Sequence, residues 1–268
     1  MTIKRGPGGL SPIVQAAFKL VGVDPNGWAC TIDSSVPPGS STGTSAAVAV
    51  AALGALHLFQ GEQVTPRHVA TEAWRLETEV LRRQSGVQDQ VCSAFGGISL
   101  IRILDYPSWD REAIAVGDKM RKDLETGLCL VTYGGGHDSS ALHERVIRHL
   151  EKETGVEPIV NTLRACAEEG VSALRAGNLH RFGRAMIANN KAQFRLHADL
   201  VPPFVTNLTN IAEDHGAVGW KVNGAGGPGG SLCLLFDSPQ NKQNFLEAAS
   251  EWVQDVPIQF ASFGLLTA

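Results

Sequence analysis

The stretch SSVPPGSSTGTSAAVAVAAL, residues 34–53, sets two prolines and a run of glycine and small hydroxyls directly before a long alanine-rich apolar segment. Pro37 and Pro38 hold the backbone extended and end a preceding strand. Gly39 and Gly43 allow tight or left-handed backbone and the close approach of a ligand. From about Thr44, alanine, valine and leucine dominate, which predicts a buried helix. A small-residue loop feeding a helix N-terminus aims N–H groups at one spot and favours an anion there, so the stretch is a candidate phosphate site. Ordinary N-capping by serine or threonine is the competing reading. The stretch is not a Walker loop, because Thr44 and Ser45 follow Gly43 without a lysine.

Composition bounds what the chain can be. Its 268 residues suit one large domain or two smaller ones. With 43% hydrophobic and 19% charged residues and a net charge of −4, the chain reads as globular, and no lysine/arginine block supports a nucleic-acid or membrane-surface role. Cys30, Cys92, Cys129, Cys166 and Cys233 are scattered, without CxxC spacing, and read as buried thiols in a reducing compartment. The longest apolar run, around residues 46–56, is too short to span a bilayer. The segment MTIKRGPGG lacks the apolar core of a signal peptide, so a cytoplasmic location is expected.

Periodicity and punctuation give the elements. Residues 10–22 form an amphipathic helix ending at Gly22, and WACTIDSSV, 28–36, reads as a strand. A helix runs from Gly43 to about Gln60, and another starts with Thr65 as N-cap and Pro66 in its first position. GISLIRIL and GLCLVTY are strands. Three or four helices follow between about 138 and 214, broken at Gly155, Gly177 and Pro202–Pro203. VGWKVN and SLCLLFD are strands around a glycine-rich turn, QNKQNFLEAASEWVQ (240–254) a helix, and PIQFASF (257–263) a last strand. A domain boundary is expected near residue 125.

Three glycine-marked segments stand out: 37–47, 85–97 and 221–230. The last, KVNGAGGPGG, holds five glycines between two strands, more than a hairpin needs. In this order PPGSSTGTSAA, SGVQDQVCSAFGG and KVNGAGGPGG resemble the three downstream signatures of the GHMP kinase superfamily, the galacto-, homoserine, mevalonate and phosphomevalonate kinases. The glutamine before Asp89 and the FGG after it look most like the sugar-kinase branch of heptose 7-phosphate kinase and fucokinase.

The resemblance implies an α+β fold of two domains: residues 1–125 as a truncated, ribosomal-protein-like βαβ domain, and 126–268 as a ferredoxin-like domain. It implies ATP and Mg2+ as cofactors and a sugar or sugar-phosphate hydroxyl as acceptor. Pro38, Gly39, Ser40, Ser41, Thr42, Gly43, Thr44 and Ser45 would wrap the triphosphate, with Ser45 also near the magnesium. Asp89 matches the family's catalytic aspartate, and Glu77, twelve residues earlier, its magnesium-binding glutamate. Gly224, Ala225, Gly226, Gly227 and Gly229 would close on the substrate. His137 and Asp138, in YGGGHDSSALHE, are further substrate-contact candidates.

Plainer readings compete at each position. Asp89 could cap the helix that follows it. Glu77 could lie on a solvated face, with Glu79 paired to Arg82 or Arg83, and residues 133–144 could be a turn with a helix cap. Ser41 and Thr42 stand where the family mostly has Gly-Leu, which stiffens the loop. The family's opening basic motif has no counterpart in Lys4 and Arg5. Two further outcomes are therefore expected as alternatives: a catalytically degenerate relative that binds nucleotide or sugar, and a mevalonate-type small-alcohol kinase. A first sheet short of strands would also leave an edge open to self-association, so a homodimer is a further expectation.

Overall fold

The structure, a computed structural model, describes residues 2–5, 10–33, 36, 41–134, 139–153, 155–224 and 226–265. These divide into two compact units: 1–35, 43–113 and 261–268 in the first, 36–42 and 114–260 in the second.

In the first unit β1 (Thr2–Arg5) pairs antiparallel with β2 (Trp28–Thr31), Ile3 opposite Cys30. The strand expected over 28–36 is thus four residues long, and its partner is the segment around Lys4 and Arg5. Between them α1 (Pro12–Val21) begins where Ser11 Oγ accepts from the Val14 N–H, with Pro12 in the first turn. It ends at Gly22, whose left-handed backbone closes the last turn. α2 (Thr44–Phe59) is apolar nearly all round. Such a helix belongs inside, and Ala49, Val50, Ala52, Leu53 and Leu56 are buried. α3 (Pro66–Arg75) starts at Thr65, whose hydroxyl accepts from the His68 N–H. A π-helical turn, Leu76–Val80, follows directly, and α4 (Gln88–Phe95) comes next. β3 (Ser99–Asp105) and β4 (Ser108–Ala113) form a separate hairpin. Phe18, Trp28, Leu53, Leu56, Leu76 and Val91 make up the core, each large apolar side chain worth roughly 1.5–3 kcal/mol on burial.

The second unit begins with α5 (Asp118–Gly127), β5 (Leu128–Tyr133) and α6 (Ser139–Leu150), then α7 (Glu157–Arg175), α8 (Leu179–Leu196) and α9 (Pro203–Asp214). It closes with β6 (Ala217–Val222), β7 (Gly230–Phe236), α10 (Pro239–Ala248) and β8 (Val253–Val256). The sheet order is β6-β7-β5-β8, all neighbours antiparallel. With helices between the first and second and between the third and fourth strands, this is the ferredoxin-like arrangement the resemblance implied. Val131, Leu232, Leu234 and Phe236 face Val205, Leu208 and Phe245 in its core.

The end of the chain departs from expectation. The helix expected over 240–254 stops at Ala248, and the last strand is Val253–Val256, not 257–263. Residues 257–263 form no regular element. Instead the Ala261 carbonyl accepts from the Gly97 N–H and the Leu265 N–H reaches the Ala94 carbonyl, so this tail covers the end of α4. All five cysteines are free. Only Cys129 is fully buried and Cys92 is exposed, which corrects the reading of all five as interior thiols. Among the described residues no helix is long and apolar enough to cross a membrane.

Candidate active site

Gly43 sits at the N-cap of α2 in left-handed backbone (φ 72°) and has no side chain of its own to cap that turn. The N-cap of α2 is thus a glycine and not the serine or threonine that the competing reading required. A methyl group placed on Gly43 would lie 3.2 Å from Cγ of Asp89. The Asp89 carboxylate thus stands beside the start of α2, and two reasons favour glycine here: a positive φ and the carboxylate next to it.

Asp89 is in the first turn of α4, but the N-cap of that helix is Val87 and makes no side-chain bond, so Asp89 is not its cap. The residue reaches solvent, yet protein crowds it from the sides. That desolvation first, and the charge of Glu77 second, raise its pKa above the ordinary carboxylate value.

Glu77 lies on the π-helical turn and is only 4% exposed, which removes the solvated-face reading. Its Oε2 accepts from Ser85 Oγ at 2.6 Å and from Gln90 Nε2 at 2.6 Å. Gln90 also donates to Ser85 Oγ. Both donors are neutral, so these bonds orient the carboxylate without cancelling its charge. Gln90 Oε1 is buried and has no hydrogen-bond partner. Buried oxygens of this kind suit a hard cation, which takes carboxylate, amide and hydroxyl oxygens. The expected Glu79 pairing differs: it bonds Arg75, one turn earlier. Thr44 and Ser45 occupy the first turn of α2, Ser45 exposed.

Ser41 and Thr42 are grouped with the second unit. Ser41 has left-handed backbone (φ 54°) and a buried hydroxyl with no hydrogen-bond partner, and its carbonyl accepts from Ser231 Oγ at 3.5 Å. A methyl group on Gly224 would touch the Ser41 side chain at 3.4 Å. Gly226, Gly227 and Gly229 are buried. A side chain at Gly226 would strike the Leu200 carbonyl at 1.9 Å, so internal packing alone accounts for that glycine. Pro38, Gly39, Ser40, His137, Asp138 and Ala225 lie outside the described residues.

Several residues that hold these segments carry no motif of their own. Asn190 and Gln193, on α8, support the glycine-rich loop: Asn190 Oδ1 accepts from the Val222 N–H at 3.0 Å, and Gln193 Nε2 donates to the Gly224 carbonyl at 2.9 Å. Tyr133, at the end of β5, has a buried hydroxyl without a partner, and burial pushes its phenol up to about 12. Gln193 Oε1 is likewise a buried oxygen without a hydrogen-bond partner. Ser85 and Gln90 sit inside the segment 85–97, but nothing in the sequence pairs them with Glu77.

Comparisons with known proteins bear on the family and the fold. Residues 12–97 match the family model of the GHMP kinases N terminal domain, and residues 171–255 that of the GHMP kinases C terminal domain. A mevalonate kinase of Thermococcus sibiricus is 27% identical over 238 residues, covering 87% of this chain and 66% of its own. A bifunctional fucokinase/GDP-fucose pyrophosphorylase of Arabidopsis thaliana is 28% identical over 239 residues, covering 86% of this chain and 22% of its own. This chain therefore spans less than two thirds of the length of these relatives. In fold it resembles a D-glycero-D-manno-heptose 1-phosphate kinase of Bacteroides thetaiotaomicron, with a TM-score of 0.71 and 19% identity over 95% of this chain and 73% of the other. Both halves carrying their matching domain in the right order, the chain belongs to the GHMP kinase family.

Proposed function

We propose that the protein transfers a phosphoryl group from ATP to a hydroxyl of a sugar or sugar phosphate, with Mg2+. The observation that carries this reading is the Asp89 carboxylate standing beside the glycine that opens α2, with the buried Glu77 carboxylate held by Ser85 and Gln90 in the same unit. Phosphoryl transfer asks little covalent chemistry of a protein and much positioning and charge. The start of α2, at Gly43, Thr44 and Ser45, offers N–H groups and a helix dipole to phosphate oxygens. We assign Ser41 and Thr42, with Pro38, Gly39 and Ser40 before them, to the same nucleotide loop.

Asp89 is assigned to the acceptor hydroxyl, taking or orienting its proton. A raised pKa suits that role, because a base works best when its pKa lies nearer the working pH. Glu77 and Ser45 would hold Mg2+, which supplies charge neutralisation to the phosphate oxygens. Gly224 and its neighbours, supported by Gln193, are assigned to the substrate.

A second acceptor class has a specific observation behind it, the match to a Thermococcus mevalonate kinase. Release of ADP, followed in a coupled assay over a panel of hexoses, heptose phosphates and mevalonate, tests both. Turnover on a sugar or sugar phosphate is the expected result, and turnover on mevalonate alone would move the acceptor assignment. Nucleotide binding without ADP release on any member would make the chain a binding relative and overturn phosphoryl transfer.

A further inference from the structure

At the far end of α2 from Gly43 lies a cluster the kinase chemistry does not use. His57, in the last turn of α2, is 5% exposed and lies between two carboxylates. Its Nδ1 is 2.6 Å from Glu62 Oε2 and its Nε2 is 2.6 Å from Glu72 Oε2. Glu72 reaches a second imidazole with its other oxygen: Oε1 is 3.4 Å from Nε2 of His68. His68 and Glu72 are one turn apart on α3, the spacing that puts two side chains on one helical face. The two rings meet edge to face at 5.6 Å. Ligand atoms of His57, His68 and Glu72 all lie within 4.8 Å of one another.

We propose that His57 Nε2, His68 Nε2 and a carboxylate oxygen of Glu72 form a site for a zinc-class divalent transition ion, clipping the end of α2 to α3. Two imidazoles and one carboxylate suit a borderline ion better than magnesium or calcium, which want oxygen alone. With metal bonds of about 2.0–2.2 Å, tetrahedral ligands stand about 3.3 Å apart. Through Oε1 the His68–Glu72 pair already has that separation, whereas His57 meets the other oxygen, Oε2. Since the three ligand atoms lie within 4.8 Å of one another, gathering them around one ion asks for side-chain shifts of at most about 1.5 Å. Water would take the fourth position.

Glu62 supplies a feature that a chance cluster lacks. Its carboxylate on Nδ1 fixes that nitrogen as the proton-bearing one and leaves Nε2 as the lone-pair donor, the orienting arrangement common behind metal-bound histidine. Without the ion, both ring nitrogens at 2.6 Å from carboxylates imply a protonated imidazole. Binding would then replace the Nε2 proton by metal and release that proton to water. Access is open on one side: the His68 side chain is 52% exposed, against 6% for His57 and 14% for Glu72.

The test uses the full chain, stripped with a chelator, dialysed against zinc chloride and assayed for bound metal. One equivalent is expected, and with Co2+ in its place the visible bands of a four-coordinate ion. His68→Ala changes a half-exposed side chain and should fold normally, while losing both signals. Glu62→Gln should weaken zinc by about tenfold, as loss of an orienting partner does. Zinc retained equally by the parent and His68→Ala would place it elsewhere, on a cysteine for instance, and overturn the proposal. No retention by the parent would also overturn it, leaving His57 as a protonated link between Glu62 and Glu72.

Discussion

Gly43 and Asp89 constrain each other, and two substitutions separate what each contributes. Asp89→Asn keeps the shape but removes the acceptor, so kcat should fall by about a hundredfold or more while nucleotide affinity changes little. The same change should not weaken the fold. The folded-state pKa of Asp89 is raised by crowding and by Glu77, so its ionised form carries a cost in the folded protein that is complete above the raised value. That cost is relieved as pH falls through the raised value and is gone below the ordinary carboxylate range. Without magnesium, Asp89→Asn should therefore melt at or above the parent at neutral pH, and the difference should close toward about pH 3. A lower melting temperature at neutral pH would make Asp89 a structural residue. Gly43→Ala acts through the backbone: φ near 72° costs an L-residue about 1–2 kcal/mol, and the new methyl group presses on the carboxylate. ATP affinity measured by calorimetry should drop in a folded variant, and unchanged affinity would remove the nucleotide from this end of α2. Glu77→Gln should raise the magnesium needed for half-maximal rate by at least the roughly tenfold that loss of an orienting carboxylate costs.

At the scale of elements, α8 sets the place of the glycine-rich loop. Gly183 lies so close to β6 that a side chain there would meet the Val218 carbonyl at 2.2 Å. Asn190 and Gln193, further along the same helix, hold Val222 and Gly224. Gly183→Ala should cost about 1–3 kcal/mol as an overpacked contact. If the loop contacts substrate, KM should rise while ATP affinity holds, because the helix that carries Asn190 and Gln193 is pushed off the sheet. Equal loss for nucleotide and acceptor would make the change a general loss of stability.

The same division separates what is legible in the sequence from what is not. Gly43, Asp89 and the 223–230 loop are readable because each sits in a contiguous, glycine-marked segment. Asn190 and Gln193 are not, since they reach the loop from 32 and 31 residues away on an ordinary amphipathic helix. The burial of Glu77 is hidden for a related reason. A π-helical turn departs from the 3.6-residue period on which its solvated-face reading rests.

Across the whole molecule, the order of helices and the antiparallel second sheet follow from apolar runs between strong breakers. What the sequence hides is the short and the irregular: the four-residue strands β1 and β2, and a tail whose alternating pattern resembles a strand while its backbone bonds to α4. Each unit nevertheless closes a core of its own, with Phe18 fully buried in the first and Phe236 in the second. Two closed cores are two candidate cooperative units, and chains so built often depart from all-or-none melting. Calorimetry should then return a van't Hoff enthalpy below the measured one. Removing either ring should cost about 3–5 kcal/mol, but the two losses should fall on different transitions: Phe18→Ala on one, Phe236→Ala on the other. Saturating Mg·ATP adds a second marker, since a ligand at about a hundred times its dissociation constant stabilises what it binds by about 2.7 kcal/mol. With the nucleotide site at the start of α2, the transition lowered by Phe18→Ala is the one that Mg·ATP should raise. A single transition lowered alike by both substitutions would mean that the two cores melt as one, and Mg·ATP raising only the Phe236 transition would move the nucleotide away from Gly43.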